Sequence, residues 1–144
     1  MIDMFMGQYR WLSNFHEAPI LYKGLVYLNN EGAYQAQKTT DPLEKATFIR
    51  LSGSDARKKG QTVTCRSDWN DVRIEVMKTV THAKYTQHLQ LMMKLVDTGD
   101  HELIERNYWG DTFWGVCNGV GENNLGKILM EERALLKKGL TDAG

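Results

Sequence analysis

The 144-residue sequence contains only two cysteines and two prolines. Cys65 and Cys117 lie far apart, with no CxxC pair and no histidine at the spacing of metal ligands. Neither a disulfide framework nor a zinc site is therefore predicted. No linker, repeat or low-complexity stretch marks an internal boundary, so we expect one domain over residues 1–144. A domain of this size buries roughly 68–70% of the surface that its unfolded chain exposes, and it needs no cross-link.

Long apolar runs are also lacking, since nowhere do about eighteen apolar residues follow one another, and no membrane span is predicted. The first ten residues, MIDMFMGQYR, carry an early acid and no apolar core, which argues against a secretory signal. We expect a cytoplasmic protein with reduced thiols. The formal net charge is zero, from 18 basic and 18 acidic side chains. This excludes binding of nucleic acid through a global positive field, and leaves a local basic patch open.

The first half of the chain predicts a hairpin followed by helices. Residues 19–28 read as two short β runs around Lys23-Gly24, a typical two-residue turn. Asn30 is the predicted N-cap of a helix over residues 31–39. Asp41 and Pro42 predict the start of a second helix, ending near Gly53. A short helix through Ala56 is expected to stop at Gly60.

The second half is expected to be mainly helical too. A long helix capped by Ser67 or Asp68 should break near His88 and resume to Asp97. Residues 103–105 predict a short strand. The last helix should cover residues 125–138 and stop at Gly139, with one apolar stripe formed by Leu125, Ile128, Leu129 and Leu135. The predicted fold class is therefore α+β, mostly helical with a few short strands.

Glu31, Gln35 and Lys38 form the first candidate constellation. On one helix these positions are i, i+4 and i+7, so an acid, an amide and an amine project from one face. A solvated polar face is the alternative interpretation. The preceding hairpin and the alanines of EGAYQAQK favour close approach of another segment.

The second constellation is the loop YWGDTFWGVCNGVGENN at residues 108–124. It brackets Asp111 with Trp109 and Trp114 and contains four glycines. An acid among indoles can have a raised pKa or can stabilise a cation, and the rings can stack on a base. Alternatively, the tryptophans belong to the core and the glycines shape turns.

Two further segments carry weaker signals. GQYRWLSNF places Asn14 and Phe15 ahead of the hairpin, where formation of a turn would be a sufficient role. The basic run at residues 57–59, followed by Arg66 and Trp69, is either a solvated face or the cation cluster that a phosphate-bearing nucleotide needs.

Together these stretches resemble the NADAR family. The resemblance rests on the order of GQYRWLSNF, NNEGAYQAQK, ARKKG, SDW, TGD, YWGDTFWGV and GENNLGKILMEER, and it covers about residues 5 to 135. It implies a compact, mostly helical α+β fold. It also implies N-glycosidase chemistry without a cofactor or metal. The substrate would be either a ribosylamino-pyrimidine phosphate of riboflavin synthesis or ADP-ribose attached to guanine, free or in DNA or RNA.

The resemblance also assigns site residues. It implies catalytic roles for Glu31, Lys38 and Asp111. It implies substrate-binding roles for a larger set: Asn14, Phe15, Gln35, Arg57, Lys58, Trp69, Trp114 and Asn123. Arg133 would connect the last helix to the site. ARKKGQ departs from the family pattern, because relatives often carry arginine where this chain has Gln61, and Arg57, Lys58 or Arg66 would then have to contact a phosphate.

Cleavage of a riboside C–N bond needs an anion near C1 and a proton source near the leaving nitrogen. Lys38 has two possible roles, as an ammonium that binds phosphate or donates a proton, or as a neutral amine that forms a Schiff base. A different class of function also fits the sequence, a non-catalytic module that binds ADP-ribose, NAD or a related nucleotide. The physiological riboside and the oligomeric state stay open.

Overall fold

The computed structural model describes residues 1–143, with α-helices of 5 to 20 residues and strands of 2 or 3 residues. After a 3-10 helix at Gly7–Leu12, the elements in chain order are β1 (Ile20–Tyr22), β2 (Leu25–Tyr27), α1 (Asn30–Ala36), α2 (Pro42–Ala46), α3 (Gly53–Gly60), α4 (Trp69–Gln87), α5 (Leu89–Asp97), β3 (Arg106–Asn107), β4 (Val116–Cys117) and α6 (Asn124–Ala143). The predicted class, α+β and mostly helical, is confirmed.

The chain consists of two compact units, each with more contacts between its own Cα atoms than with the other unit. The central unit is Asn14–Gln87. The terminal unit combines Met1–Ser13 with the chain from His88 onward. Each unit has its own buried side chains, and that residues 1–144 form one NADAR-like domain stays a prediction.

The hairpin of the central unit is confirmed. β1 and β2 pair antiparallel, with Ile20 opposite Tyr27 and Tyr22 opposite Leu25. Lys23 and Gly24 both have positive φ, 48° and 87°, which is the backbone of a type I′ turn. The Gln87 side chain lies along the outer edge of β1: it donates to the Leu21 carbonyl at 2.9 Å and accepts the Leu21 N–H at 2.8 Å.

Helix α1 differs from the prediction at both ends. The N-cap is Asn29, whose side chain accepts the Gly32 N–H at 2.7 Å, and not Asn30. The helix ends at Ala36, and the chain then continues with i to i−3 bonds such as Lys38 N–H to Gln35 C=O at 3.2 Å. Lys38 therefore lies in a turn after the helix, and the predicted single helical face is wrong for this residue.

The next two helices start as predicted. Asp41 caps α2 by accepting the Leu43 N–H at 3.0 Å, and proline occupies the first turn. The predicted end near Gly53 is wrong, because α2 stops at Ala46. Residues 47–51 form successive turns with i to i−3 bonds, and Ser52 then caps α3. α3 ends at Gly60, in agreement with the sequence.

Helix α4 supplies much of the central core, and the predicted break after it is confirmed. Its inward side chains are buried, among them Trp69, Val76, Met77, Val80 and Ala83. His88 has extended backbone, φ −126° and ψ 94°, between α4 and α5.

The terminal unit has a minimal sheet. β3 and β4 pair in parallel, with Arg106 opposite Val116 and Asn107 opposite Cys117. The predicted strand at residues 103–105 is wrong in position, because Leu103 forms only an isolated bridge to Ile2. None of the helices described up to residue 143 is long and apolar enough to cross a membrane.

Helix α6 is longer than predicted. Gly139 lies inside it with open space around its Cα, and a helix tolerates such a glycine at a cost of about 1 kcal/mol relative to alanine. Leu125, Ile128 and Leu129 are buried as predicted. Leu135 is 55% exposed and its neighbour Leu136 is buried instead, so the predicted stripe is wrong at that position.

Lys84 on α4 is a fully buried lysine, 1% exposed, with its Nζ 5.2 Å from the centre of the Tyr85 ring. Burial lowers the pKa of this amine to about 7. In the unfolded chain a lysine has a pKa of about 10.4. Between these two values the unfolded chain binds more protons at this group than the folded chain, so the free energy of unfolding rises with pH.

We therefore expect the free energy of unfolding of the wild type, relative to that of Lys84→Met, to be lowest at about pH 7 and below. The difference should shift in favour of the wild type by roughly 1 kcal/mol per pH unit from about pH 7.5 to about pH 9.5. Urea unfolding at several pH values measures this difference. Lys127→Met, at an exposed position of α6, is the matched control. The same pH-independent difference in both variants would contradict the expectation.

Candidate functional site

Glu31 lies in the first turn of α1 with only 8% of its surface exposed. Its Oε1 accepts a hydrogen bond from Gln35 Nε2 at 2.8 Å, one helical turn along. Its backbone N–H donates to the Asn14 carbonyl at 3.1 Å. The sequence predicted that these two side chains share one helical face, and the hydrogen bond holds the carboxylate in one orientation.

Asn14 fixes the start of α1. Its Oδ1 accepts from Asn30 Nδ2 at 3.3 Å, and its Nδ2 lies 3.5 Å from Met77 Sδ on α4. Asn14 is half-buried and Asn30 is buried. The sequence proposed Asn30 only as a cap, and its position next to Glu31 was the available signal for a role beside the acid.

Lys38 is half-buried, and its carbonyl accepts the Arg66 N–H at 2.7 Å. Burial lowers the pKa of the Lys38 amine. The nearby Cys65 and Glu31 act in the opposite direction, and the charges of Arg57 and Arg73 lower it further. The central unit thus brings Glu31, Gln35 and Lys38 into one neighbourhood. A lowered pKa increases the fraction of neutral amine, which is the form that attacks a carbonyl carbon.

Cys65 and Arg73 were not among the site residues predicted from the sequence. Cys65 is an exposed free thiol next to Arg66. Arg73 is one helical turn beyond Trp69 on α4. Only that spacing from a candidate residue pointed to Arg73, and nothing in the sequence placed Cys65 near Lys38.

The basic side chains at residues 57–59 and 66 do not form one cluster of equivalent cations, because their exposure and their partners differ. Arg57 and Lys58 are exposed near the end of α3, with Arg57 in electrostatic range of Lys38. Arg66 forms a bidentate ion pair with Asp68, at 2.6 and 2.9 Å, which compensates its charge. Arg57, Lys58 and Arg66 are the predicted substitutes for the arginine that relatives often carry at the position of Gln61. Because Arg66 is already paired with a carboxylate, Arg57 and Lys58 are better placed to bind an anion.

The two aromatic candidates of the central unit are packed against protein. Phe15 is half-buried against Gly53 at the start of α3, where an added Cβ would come within 2.6 Å of the ring. Trp69 is 8% exposed, and its ring centre lies 5.1 Å from that of Tyr34. Both residues shape the surroundings of α1, and a direct contact of either with substrate stays a prediction.

Asp111, in the terminal unit, organises the loop that follows β3. Its Oδ1 accepts the N–H groups of Phe113 at 3.1 Å and Trp114 at 2.9 Å. The side chain of Asn107 bonds to both the N–H and the carbonyl of Asp111, at 3.0 and 2.8 Å. One carboxylate oxygen therefore has a clear structural role.

The other loop candidates differ in exposure. Trp114 is half-buried and meets Phe113 edge-to-face at 4.8 Å. Trp109 is 56% exposed and its neighbour Tyr108 is 72% exposed, so the first tryptophan of the motif is not a core residue.

Asn123 has φ 53° and bonds through its amide to the Glu105 N–H and the Leu103 carbonyl, both at 3.0 Å. These bonds fix the chain ahead of α6. Substrate binding by Asn123 stays a prediction.

Arg133 donates to Thr98 Oγ1 at 2.9 Å and to the His101 carbonyl at 2.8 Å. It thereby connects α6 to the turn after α5. Over residues 1–143, no group of three or more His, Cys, Asp or Glu side chains is arranged to hold a metal ion.

Comparison with known proteins adds an independent line of evidence. The NADAR domain model matches residues 4–137. A riboflavin biosynthesis protein of Vibrio vulnificus is 35% identical over 134 residues, which are 89% of this chain and 36% of that protein. The chain thus spans about a third of the length of this relative.

Other relatives match over most of their own length. N-glycosidase YbiA of Escherichia coli is 32% identical over 86% of this chain and 79% of its own. An N-glycosidase of Nostoc punctiforme is 31% identical over 94% of this chain and 91% of its own. The solution structure of E. coli YbiA superimposes with a TM-score of 0.86 at 31% identity, covering 98% of this chain and 89% of that one. The chain belongs to the NADAR family.

Proposed function

We propose that this protein is an N-glycosidase that hydrolyses the C1–N bond of a riboside without a bound metal ion. The observation that carries the proposal is the buried Glu31 carboxylate, fixed by Gln35 and in electrostatic range of the half-buried Lys38 amine. Relatives over 30% identical are named N-glycosidases, which supports the same bond type.

Glu31 is proposed to stabilise positive charge at C1 and to transfer a proton to the leaving nitrogen. As the C1–N bond breaks, its electron pair goes to the departing nitrogen and positive charge develops at C1. A carboxylate held close to C1 stabilises that charge, and a carboxyl group in the same place can pass a proton to the leaving nitrogen. The Gln35 bond holds the side chain in one orientation, which such a role requires.

Lys38 is proposed to act as a nucleophile. Its neutral amine forms a bond to C1 as the bond from C1 to the ring oxygen opens, and that oxygen takes a proton from water. The proton that the amine loses passes through the Glu31 carboxylate to the base, which leaves C1 with the C1–N electron pair and gives an iminium between C1 and Lys38. Water then adds to C1 with loss of a proton, and release of the lysine amine returns the free sugar. The lowered pKa of Lys38 supports this role, because the reaction needs the neutral amine. The alternative role for Lys38 is an ammonium that holds a phosphate.

Asp111 is proposed as a second acid that stabilises charge on the substrate. Its Oδ1 is engaged by two backbone N–H groups, so this role would fall to the remaining carboxylate oxygen. Trp114, half-buried next to it, is the proposed surface for a base or pyrimidine ring. Arg57 and Lys58 are the proposed contacts for a phosphate.

Two substrates fit this chemistry, a ribosylamino-pyrimidine phosphate of riboflavin synthesis and ADP-ribose attached to guanine. The printed name of the Vibrio relative supports the first. Zero net charge favours a small riboside over long nucleic acid, although a single modified base needs only local contacts. We place the activity in the cytoplasm.

With chelator present, the protein should release free base or pyrimidine from at least one of these substrates, identified by mass. Glu31→Gln and Lys38→Ala should each lower the rate by at least about a hundredfold, the usual contribution of an acid, base or nucleophile. Circular dichroism should be unchanged in both.

Glu75→Gln and Lys94→Ala, at exposed positions, are the matched controls and should keep wild-type rates. Normal turnover by a folded Glu31→Gln or Lys38→Ala protein would remove that residue from the mechanism. Binding measured by calorimetry without any product would instead support a nucleotide-binding module.

Borohydride added during turnover should reduce the proposed iminium and leave a covalent sugar adduct on Lys38. Peptide mass spectrometry of the quenched protein locates the adduct. The Lys38→Ala protein and the wild type without substrate are controls and should carry none. Product formation by a wild-type protein whose intact mass stays unmodified would exclude the covalent route and favour the ammonium role.

Asp111→Asn should lower the rate by at least about tenfold, since it removes one charge-stabilising group. The asparagine retains a carbonyl oxygen that can accept the Phe113 and Trp114 N–H groups, so the loop should keep its shape. Asp111→Ala removes the acceptor as well as the charge. Wild-type kinetics for Asp111→Asn with reduced activity and thermal stability for Asp111→Ala would show that Asp111 only shapes the loop.

A further inference from the structure

Gly60 is the last residue of α3, and it faces the side chain of Gln35 on α1. A Cβ built on Gly60 would collide with the Gln35 Oε1 and would come within 2.7 Å of the Gln35 Cδ. Gly60 is buried and has no positive φ. The backbone at this position therefore suits any residue, and only the neighbouring amide requires glycine.

The Gln35 amide has two different ends. Its Nε2 donates to Glu31 Oε1 at 2.8 Å. Its Oε1 is buried and has no hydrogen-bond donor within the described chain. The hydrogen bond thus fixes the nitrogen end of the Gln35 amide. The oxygen end occupies the space that a side chain at position 60 would fill.

We propose that Gly60 is a positioning residue for the reaction, because the space left by its missing side chain lets the Gln35 amide present its NH₂ group to Glu31. This inference rests on the proposed function, in which Glu31 acts on the substrate. Gly60 itself touches no substrate. It acts through Gln35, and Gln35 acts through its hydrogen bond to the carboxylate.

Replacement of Gly60 by alanine would push the amide away from its present position. The Glu31 carboxylate would then lose the hydrogen bond from Gln35, and its ionised form would be less favoured. The charged or titratable groups that act on the nearby Lys38 amine are Glu31 itself, Arg57 on α3, Arg73 on α4 and Cys65. They remain in place, so a shift in the pH dependence caused by Gly60→Ala would report on the lost donor.

For Gly60→Ala we expect kcat to fall by about tenfold, the value of one hydrogen bond to a charged group. KM should change less than kcat, because the phosphate and base contacts are unaffected. The acid limb of the kcat/KM profile should move to higher pH. Gly139→Ala in α6 is the matched control, since no atom lies within 4 Å of its added Cβ, and it should keep wild-type kinetics.

A double-mutant cycle separates positioning from general damage. In Gln35→Ala the amide is already gone, so adding Gly60→Ala should cause no further loss of kcat. If Gly60→Ala alone fails to fold, a folded Gln35→Ala/Gly60→Ala protein with the activity of Gln35→Ala supports the proposal. A double variant that also fails to fold overturns it.

Two other results would overturn the inference. One is Gly60→Ala with wild-type kcat and pH profile, and the other is equal losses from Gly60→Ala with and without Gln35. Failure of the proposed function itself looks different, because the wild type would then release no product or Glu31→Gln would remain active. Inactive Glu31→Gln beside fully active Gly60→Ala would refute only the role of Gly60.

Discussion

The hydrogen bond from Gln35 to Glu31 is the constraint on which the central unit depends. A buried carboxylate is costly unless its oxygens are bonded, and a partner one turn along the same helix meets that need. The consequences extend to neighbouring elements. The Asn14 carbonyl accepts a hydrogen bond from the Glu31 N–H, and α3 ends at Gly60, which lies next to the Gln35 side-chain amide. A seven-residue helix thus holds a fixed acid because two other segments support it.

Sequence reasoning was most successful where a local signal decides the structure. The Lys23-Gly24 turn, the Asp41 cap and the break at His88 are set by backbone preferences of a few residues. It failed where packing decides. α1 stops at Ala36 and α6 passes through Gly139, although propensity alone indicated a longer first helix and a shorter last one. The predicted N-cap of α1 was wrong by one residue, because Asn29 and Asn30 are equally good caps by residue type.

The candidate site shows the same division. Glu31 and Gln35 could be paired from their spacing, because i and i+4 side chains meet on a helix. The approach of Cys65 and Arg73 to Lys38 depends on how separate segments fold together, and no short motif encodes it. The aromatic residues were harder still, since composition does not distinguish a packed ring such as Trp69 from an exposed one such as Trp109. The side-chain hydrogen bonds of Asp111 and Asn123 to nearby backbone groups could not be foreseen from any short motif.

The pairing of the Gln87 side chain with the Leu21 backbone has a consequence for solubility. A two-stranded hairpin leaves open edges, and unpaired N–H and C=O groups on an edge are templates for strands of other molecules. Leu21 and Val26 are exposed apolar residues on that hairpin. The Gln87 amide bonds to both the N–H and the C=O of Leu21, as the backbone of one residue in a neighbouring strand would. The hairpin can therefore keep apolar side chains in water without offering this edge to intermolecular β-pairing.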